Sequence, residues 1–94
     1  IINIQLRHRK SDVLQFGAQF LAQKLKEVFK ERVLGPEVPM VARVRNNYLQ
    51  NITIKFERTA SAQKVKDIIM QKKQEFLAEY DFRSIRVVID VDPQ

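Results

Sequence analysis

Six basic side chains between Ala42 and Lys66 are the one group in this chain whose type and spacing point to chemistry. Arg43, Arg45, Lys55, Arg58, Lys64 and Lys66 stand there against a single acid, Glu57, a local excess of +5 in a chain of net charge +6. Positive charge concentrated in one stretch is the footprint expected of a surface that neutralises phosphates, through contacts that weaken with salt and carry little sequence information. Arg43 and Arg45 are two apart, so a strand would hold them on one face about 7 Å apart. Val44 would then turn to the core, and Lys55 would lie outward on the neighbouring strand. Tyr48 and Phe56 offer rings on which bases could stack. Guanidinium groups also grip carboxylates, which makes the acidic tail of a protein a competing ligand. The plain alternative is a solvated cationic face that binds nothing.

The remaining chemically capable residues are sparse. Asp90 and Asp92 lie two apart, about 7 Å along a strand, which is too far for one cation without further ligands. Ion pairing with neighbours such as Arg86 is the simpler expectation. His8 has no nucleophile or carboxylate beside it in sequence and reads as an ordinary strand residue. Asn51-Ile52-Thr53 matches a glycosylation acceptor but has no secretory signal to give it meaning. Gly17 and Gly35 are the only glycines, so no phosphate-cradling loop exists, and these residues alone cannot hydrolyse a nucleotide. With no cysteine, disulfides and thiolate metal sites are excluded. The expectation is a fragment with no catalytic residue, metal or cofactor of its own.

Such residues need elements to position them. Ninety-four residues, 45% of them hydrophobic, suit one small domain with one core. No run reaches 18 apolar residues, so no membrane span is expected. The chain opens inside a strand pattern without Met, as a piece of a longer protein would. Ile2, Ile4 and Leu6 alternate with Asn3, Gln5 and Arg7, a half-buried strand over 1–9. Ser11 or Asp12 could cap a helix over 13–30, with Val13, Phe16, Phe20, Leu21, Val28 and Phe29 inward and Leu25 widening the stripe. Gly17 within it suggests close approach to the sheet. Gly35-Pro36 breaks the chain, and Pro39 keeps it extended. Met40 to Arg45 and Ile52 to Phe56 alternate as two strands. A plain turn at Asn46-Asn47 would put Arg45 on the face of Ile52. An irregular hairpin pairing Val44 with Gln50 and Ala42 with Ile52 is therefore expected. Ser61 can cap a second helix over 62–78, with Val65, Ile68, Ile69 and Phe76 inward and Lys72 snorkelling at the edge. Ile85, Val87, Ile89 and Val91 close the chain as a strand beneath the helices, with Asp90 and Asp92 on the open side.

The order βαββαβ predicts an α+β, ferredoxin-like split β-α-β fold, a four-stranded antiparallel sheet with two helices on one face. An RNA-recognition module of this topology needs aromatic residues on the open face of its central strands. Gln5, Thr53 and Lys55 stand there instead.

Val33-Leu34-Gly35-Pro36, Pro39-Met40, Ala42-Arg43-Val44-Arg45, Tyr48 and the closing Ile89-Asp90-Val91-Asp92-Pro93 together carry a resemblance that spans the whole chain. The sequence resembles the C-terminal domain of the bacterial primosomal helicases (PriA, primosomal protein N′). That family's members are ATP-dependent 3′→5′ DNA helicases that reload replication machinery at stalled forks. The resemblance implies a fold like that of a small-subunit ribosomal protein and a bacterial cytoplasmic, nucleoid-associated location. It also implies that the ATP, magnesium and zinc sites lie elsewhere in the parent protein. The partners it implies are forked or single-stranded DNA, the rest of the helicase chain, the single-stranded-DNA-binding protein with its acidic tail, and other primosome proteins. Members often carry arginines on both sides of the hairpin tyrosine, where this chain has Asn47 and Leu49. DNA contact is therefore expected from Arg43, Arg45, Lys55, Arg58, Lys64, Lys66 and Tyr48 rather than from the hairpin tip.

Overall fold

The computed structural model describes residues 1–40, 43–56 and 61–91. Its central strand is β1 (Ile2–His8), which runs antiparallel to β4 (Asn47–Ile54) on one side and to β5 (Arg86–Val91) on the other. The registers match apolar residues across three strands. Ile4 faces Ile52 and Ile89, while Ile2 faces Ile54 and Val91. All the even-numbered apolar positions of β1 are sealed from water, as a period of two requires on the covered face of a sheet. That face is covered by α1 (Ser11–Phe29) and α2 (Ala62–Ala78), whose Leu14, Leu21, Leu25, Ile69 and Phe76 join the strand residues in one core. Two 3-10 turns, Lys30–Arg32 and Tyr80–Phe82, follow the helices.

The expected α+β plait with both helices on one face is present, with one more strand than expected. The strand predicted over Met40 to Arg45 is represented among the described residues only by Arg43–Val44, and a strand that was not expected precedes it. β2 (Val33–Glu37) pairs with the second half of β4, and the two-residue β3 (Arg43–Val44) pairs with its first half. The sheet thus runs β2-β4-β1-β5, with β3 beside β4. Gly35-Pro36, which reads as a chain break, lies inside β2. Two residues, Gly35 and Pro36, oppose one residue of β4, since Leu34 faces Thr53 and Glu37 faces Asn51. An edge strand can host such a bulge and a proline because its outer side needs no ladder. Gly35 has φ 102°, and a Cβ there would come within 2.7 Å of the Asn51 carbonyl oxygen, so the bulge demands glycine.

Helix α1 presents a different face from the one its largest residues suggest. Leu14, Gly17, Ala18, Leu21, Ala22 and Leu25 are buried, whereas Phe16 is 69% exposed and Phe20 and Val28 also reach solvent. The small residues at 17, 18 and 22 let the helix axis approach its neighbours, and a stripe weighted by side-chain bulk misses that. Gly17 owes its place to Ile85, Phe76 and Phe82, the nearest atoms to a Cβ there, rather than to a sheet strand. Neither Ser11 nor Asp12 is the N-cap residue of the helix, but Asp12 Oδ1 does accept the Val13 N–H of the first turn at 2.8 Å, as expected of one of them. Lys10 is the cap residue and makes no side-chain bond, and its own N–H donates to His8 Nδ1 at 3.0 Å. Ser61 does cap α2, accepting a bond from Lys64 N–H at 3.3 Å. Lys72 snorkels as expected, with its ammonium 3.8 Å from Glu75. Lys24 of α1 meets the same carboxylate at 3.2 Å and so ties the two helices together.

Candidate nucleic-acid interface

The hairpin that carries Arg43, Arg45 and Tyr48 is regular, not bulged. Val44 pairs with Asn47 and Arg43 with Tyr48, leaving Arg45 and Asn46 as a two-residue turn. Both turn residues have positive φ, 49° and 66°, as a type I′ turn requires. The expected pairing of Val44 with Gln50 is therefore wrong, because the turn falls one residue earlier than Asn46-Asn47. The proposed pairing of Ala42 with Ile52 lies outside the described residues. Because paired residues share a face, Arg43 goes with Tyr48 to the helix-bearing side, and Val44 goes with Asn47 to the open side.

Arg43 and Arg45 consequently do not form a two-residue stripe on one strand face. The Arg43 guanidinium lies over the Tyr48 ring, 5.2 Å from its centroid, and donates to Asn46 Oδ1 at 3.3 Å. The Tyr48 ring is also packed against the core, so it is not a free stacking platform. Phe56 likewise packs on the core. Arg45 sits at the turn itself, exposed.

The other predicted cations lie far from these. Lys55 is seven residues beyond Tyr48 along the line of β4, about 23 Å away. Its backbone N–H donates to the Arg32 carbonyl at 3.0 Å, and its side chain is exposed. Lys64 and Lys66 are exposed in the first turns of α2, which follows that same end of β4. Arg58 lies outside the described residues. The six predicted cations thus do not make one patch: Arg43 and Arg45 sit at one end of the sheet, with Lys55 at the other.

What the hairpin end does gather is a set of cations that are distant in sequence. Antiparallel pairing sets Arg7 of β1 directly opposite Arg86 of β5 and opposite Leu49 of β4. His8 pairs with Tyr48. Arg7, His8, Arg9, Asn47, Ser84 and Arg86 line a cleft of about 300 Å³ at these strand ends. His8 accepts the Lys10 N–H at Nδ1 and lies 2.9 Å from Ser84 Oγ at Nε2, which fixes the ring and the hydroxyl together. Among the described residues, neither Arg7, Arg9 nor Arg86 has a carboxylate partner; Arg7 Nε donates to Gln5 Oε1 at 3.0 Å. Local charge density misses this cluster, because residues 7 and 86 become neighbours only through strand register. The signal available in sequence was parity: Arg7 and Arg86 both occupy outward positions on strands that flank one another.

The minor candidates resolve simply. Asp90 is exposed on the open side opposite Asn3, as expected, and Asp92 lies outside the described residues. Asp90 does not pair with Arg86. Four residues along one strand separate their Cα atoms by about 13 Å, beyond the reach of an ion pair. No group of three or more potential metal ligands exists among the described residues. Asn51 lies mid-strand between Gln5 and Glu37, and its Oδ1 is buried without a partner, a poor setting for a glycosylation acceptor. No helix among the described residues is long and apolar enough to cross a membrane.

An antiparallel plait, helices on one face and arginines crowded at one end of the sheet, defines a small α+β module without a catalytic constellation among its described residues. The chain belongs to the family of primosomal protein N C-terminal domains, whose model matches residues 1–94. That membership puts it in the replication-restart machinery, in an accessory role. No curated protein matches the chain.

Proposed function

We propose that this chain is the DNA-binding accessory domain of an ATP-dependent primosomal helicase in the bacterial cytoplasm, and that it contacts forked or single-stranded DNA through the hairpin end of its sheet. The observation that carries this reading is the gathering of Arg7, Arg9, Arg45 and Arg86 at that end of the sheet, with Arg43 at the same end on the opposite face, none with a carboxylate partner among the described residues. Unneutralised arginines held on rigid strands are disposed to exchange counterions for phosphates. ATP, magnesium and zinc would be held by other parts of the parent protein, since these residues offer no cradle for them. Binding of the chain to a forked DNA, followed over a salt series, tests the reading. Engagement of about four phosphates gives a log–log slope of roughly −3 to −4, and a flat response would refute it.

A second surface favours a docking role beside the first. Phe16 and Phe20 are exposed one helical turn apart on α1, and Phe82 of the second 3-10 turn, which also carries the exposed Tyr80, lies 5.2 Å from Phe20. Exposed aromatic residues grouped in this way suit a protein neighbour, such as the rest of the helicase chain. The acidic tail of the single-stranded-DNA-binding protein would compete for the arginines instead. Titration with an acidic C-terminal peptide distinguishes that partner from DNA.

A further inference from the structure

We propose that the cleft between Arg7 and Arg86 is a phosphodiester site, where the nucleic-acid backbone crosses the strand ends of the sheet. The inference rests on the DNA-binding reading and names where that contact is made. Its first support is the like-charged pair itself. Arg7 and Arg86 face each other directly on adjacent strands, an arrangement that repels unless an anion lies between them. Among the described residues no carboxylate relieves it, and the hydrogen bond from Arg7 to Gln5 leaves the positive charge uncompensated.

The second support is the lining. Arg7, His8, Arg9, Asn47, Ser84 and Arg86 are all polar, and no acid stands among them. Asp81 borders the adjoining hollow with His8 and Ser84 but does not line this cleft. Guanidinium, amide and hydroxyl donors converging on one small space suit a tetrahedral oxyanion. A tetrahedral phosphate accepts donors from several sides at once, whereas a planar carboxylate takes them in one plane, so guanidinium groups from two strands with Asn47 and Ser84 beside them favour phosphate over a protein carboxylate. The His8–Ser84 bond, with His8 in turn held by the Lys10 N–H, preorganises one side of the site.

The third support is direction. Arg86, Arg7 and the β3–β4 turn lie on β5, β1 and the sheet edge, three strand spacings or about 14 Å apart in all. A backbone running across the strands can therefore meet Arg86 and Arg7 first and then Arg45 at the turn. A backbone running along one strand would meet only one of them.

The test uses the 94-residue chain, isotope-labelled, with inorganic phosphate and a short oligothymidylate as probes. Both should shift the Arg7 and Arg86 side-chain resonances together with those of Ser84 and Asn47. R7Q/R86Q should lower oligonucleotide affinity about tenfold at low salt and reduce the salt slope by between one and two. The same variant should melt no lower than the parent, because it removes a repulsion. K64Q/K66Q should leave both readouts unchanged. If the oligonucleotide binds with a steep salt slope that R7Q/R86Q leaves intact, the proposal is overturned while the DNA-binding reading stands. If phosphate shifts the cleft but the oligonucleotide does not, the site serves a free phosphorylated ligand and the backbone assignment falls. If an acidic peptide shifts the cleft and no oligonucleotide binds, both readings fall in favour of protein docking.

Discussion

Arg45 is held in a conformation that arginine rarely adopts. Its φ of 49°, followed by 66° at Asn46, is needed by the two-residue turn, and asparagine or glycine would meet the need at lower cost. Replacing Arg45 by Asn should raise stability by roughly 0.5–1 kcal/mol in chemical denaturation. The same change should weaken DNA binding if the turn contributes a phosphate contact. Opposite signs in the two measurements would mark a residue kept for binding rather than for folding. Gly35 shows the converse constraint. With φ at 102° and the Asn51 carbonyl 2.7 Å from any added Cβ, Gly35→Ala should cost about 1–3 kcal/mol. The backbone oxygen in its way belongs to a paired central strand and cannot shift cheaply. A loss below 0.5 kcal/mol, about the surface noise of such measurements, would show that the edge bulge relaxes.

At the level of elements, α1 offers the sharpest contrast. Leu14 is 1% exposed and Phe16 is 69% exposed, two residues apart on one helix. Leu14→Ala should cost about 2–5 kcal/mol through the cavity it leaves, whereas Phe16→Ala should change stability by no more than about 0.5 kcal/mol. Thermal or urea unfolding of the two variants separates them. Equal losses would mean that the helix is rotated from the face described. The hairpin makes a related point about strands. Moving a turn by a single residue reverses every side chain before it, so the placement at Arg45-Asn46 sends Arg43 to the helix-bearing side and Val44 to the open side. An arginine stacked on Tyr48 and bonded to Asn46 is partly ordered before any ligand arrives. Loss of Tyr48 should therefore weaken Arg43 as a contact even if the ring never touches DNA.

Across the whole molecule, charge is divided between two ends of the sheet. Lys55 closes the end from which α2 departs with Lys64 and Lys66, while Arg7, Arg9, Arg43, Arg45 and Arg86 gather at the other, about 23 Å away along β4. One short single strand need not span both. Neutralising R43A/R45A should lower the salt slope for a short oligonucleotide by nearly two, whereas K55Q/K64Q should leave it unchanged. A long or forked DNA, able to reach both ends, should respond to both pairs. Equal responses of the short strand to the two pairs would indicate diffuse attraction by net charge rather than a site.

Local patterns were enough for much of this architecture. Alternation over 2–8 and 86–91, the α2 stripe through Val65, Ile69 and Phe76, and the Ser61 cap all rest on interactions within a few residues, which sequence spacing records directly. Both helices and the first and last strands followed from those elements, though the observed order, βαβββαβ, has one strand more than expected, and the specific combination of Leu-Gly-Pro with Asp-Val-Asp-Pro carried the family. Other features depended on contacts that spacing does not encode. Which stripe of α1 is buried was decided by how closely Gly17 can approach Ile85 and Phe76. The additional edge strand β2, with its bulge at Gly35-Pro36, was decided by pairing with β4, and the hairpin's parity by a one-residue choice of turn. The arginine cleft belongs to this second group. Alternation puts Arg7 and Arg86 each on an outward position, but only antiparallel register places their like charges side by side.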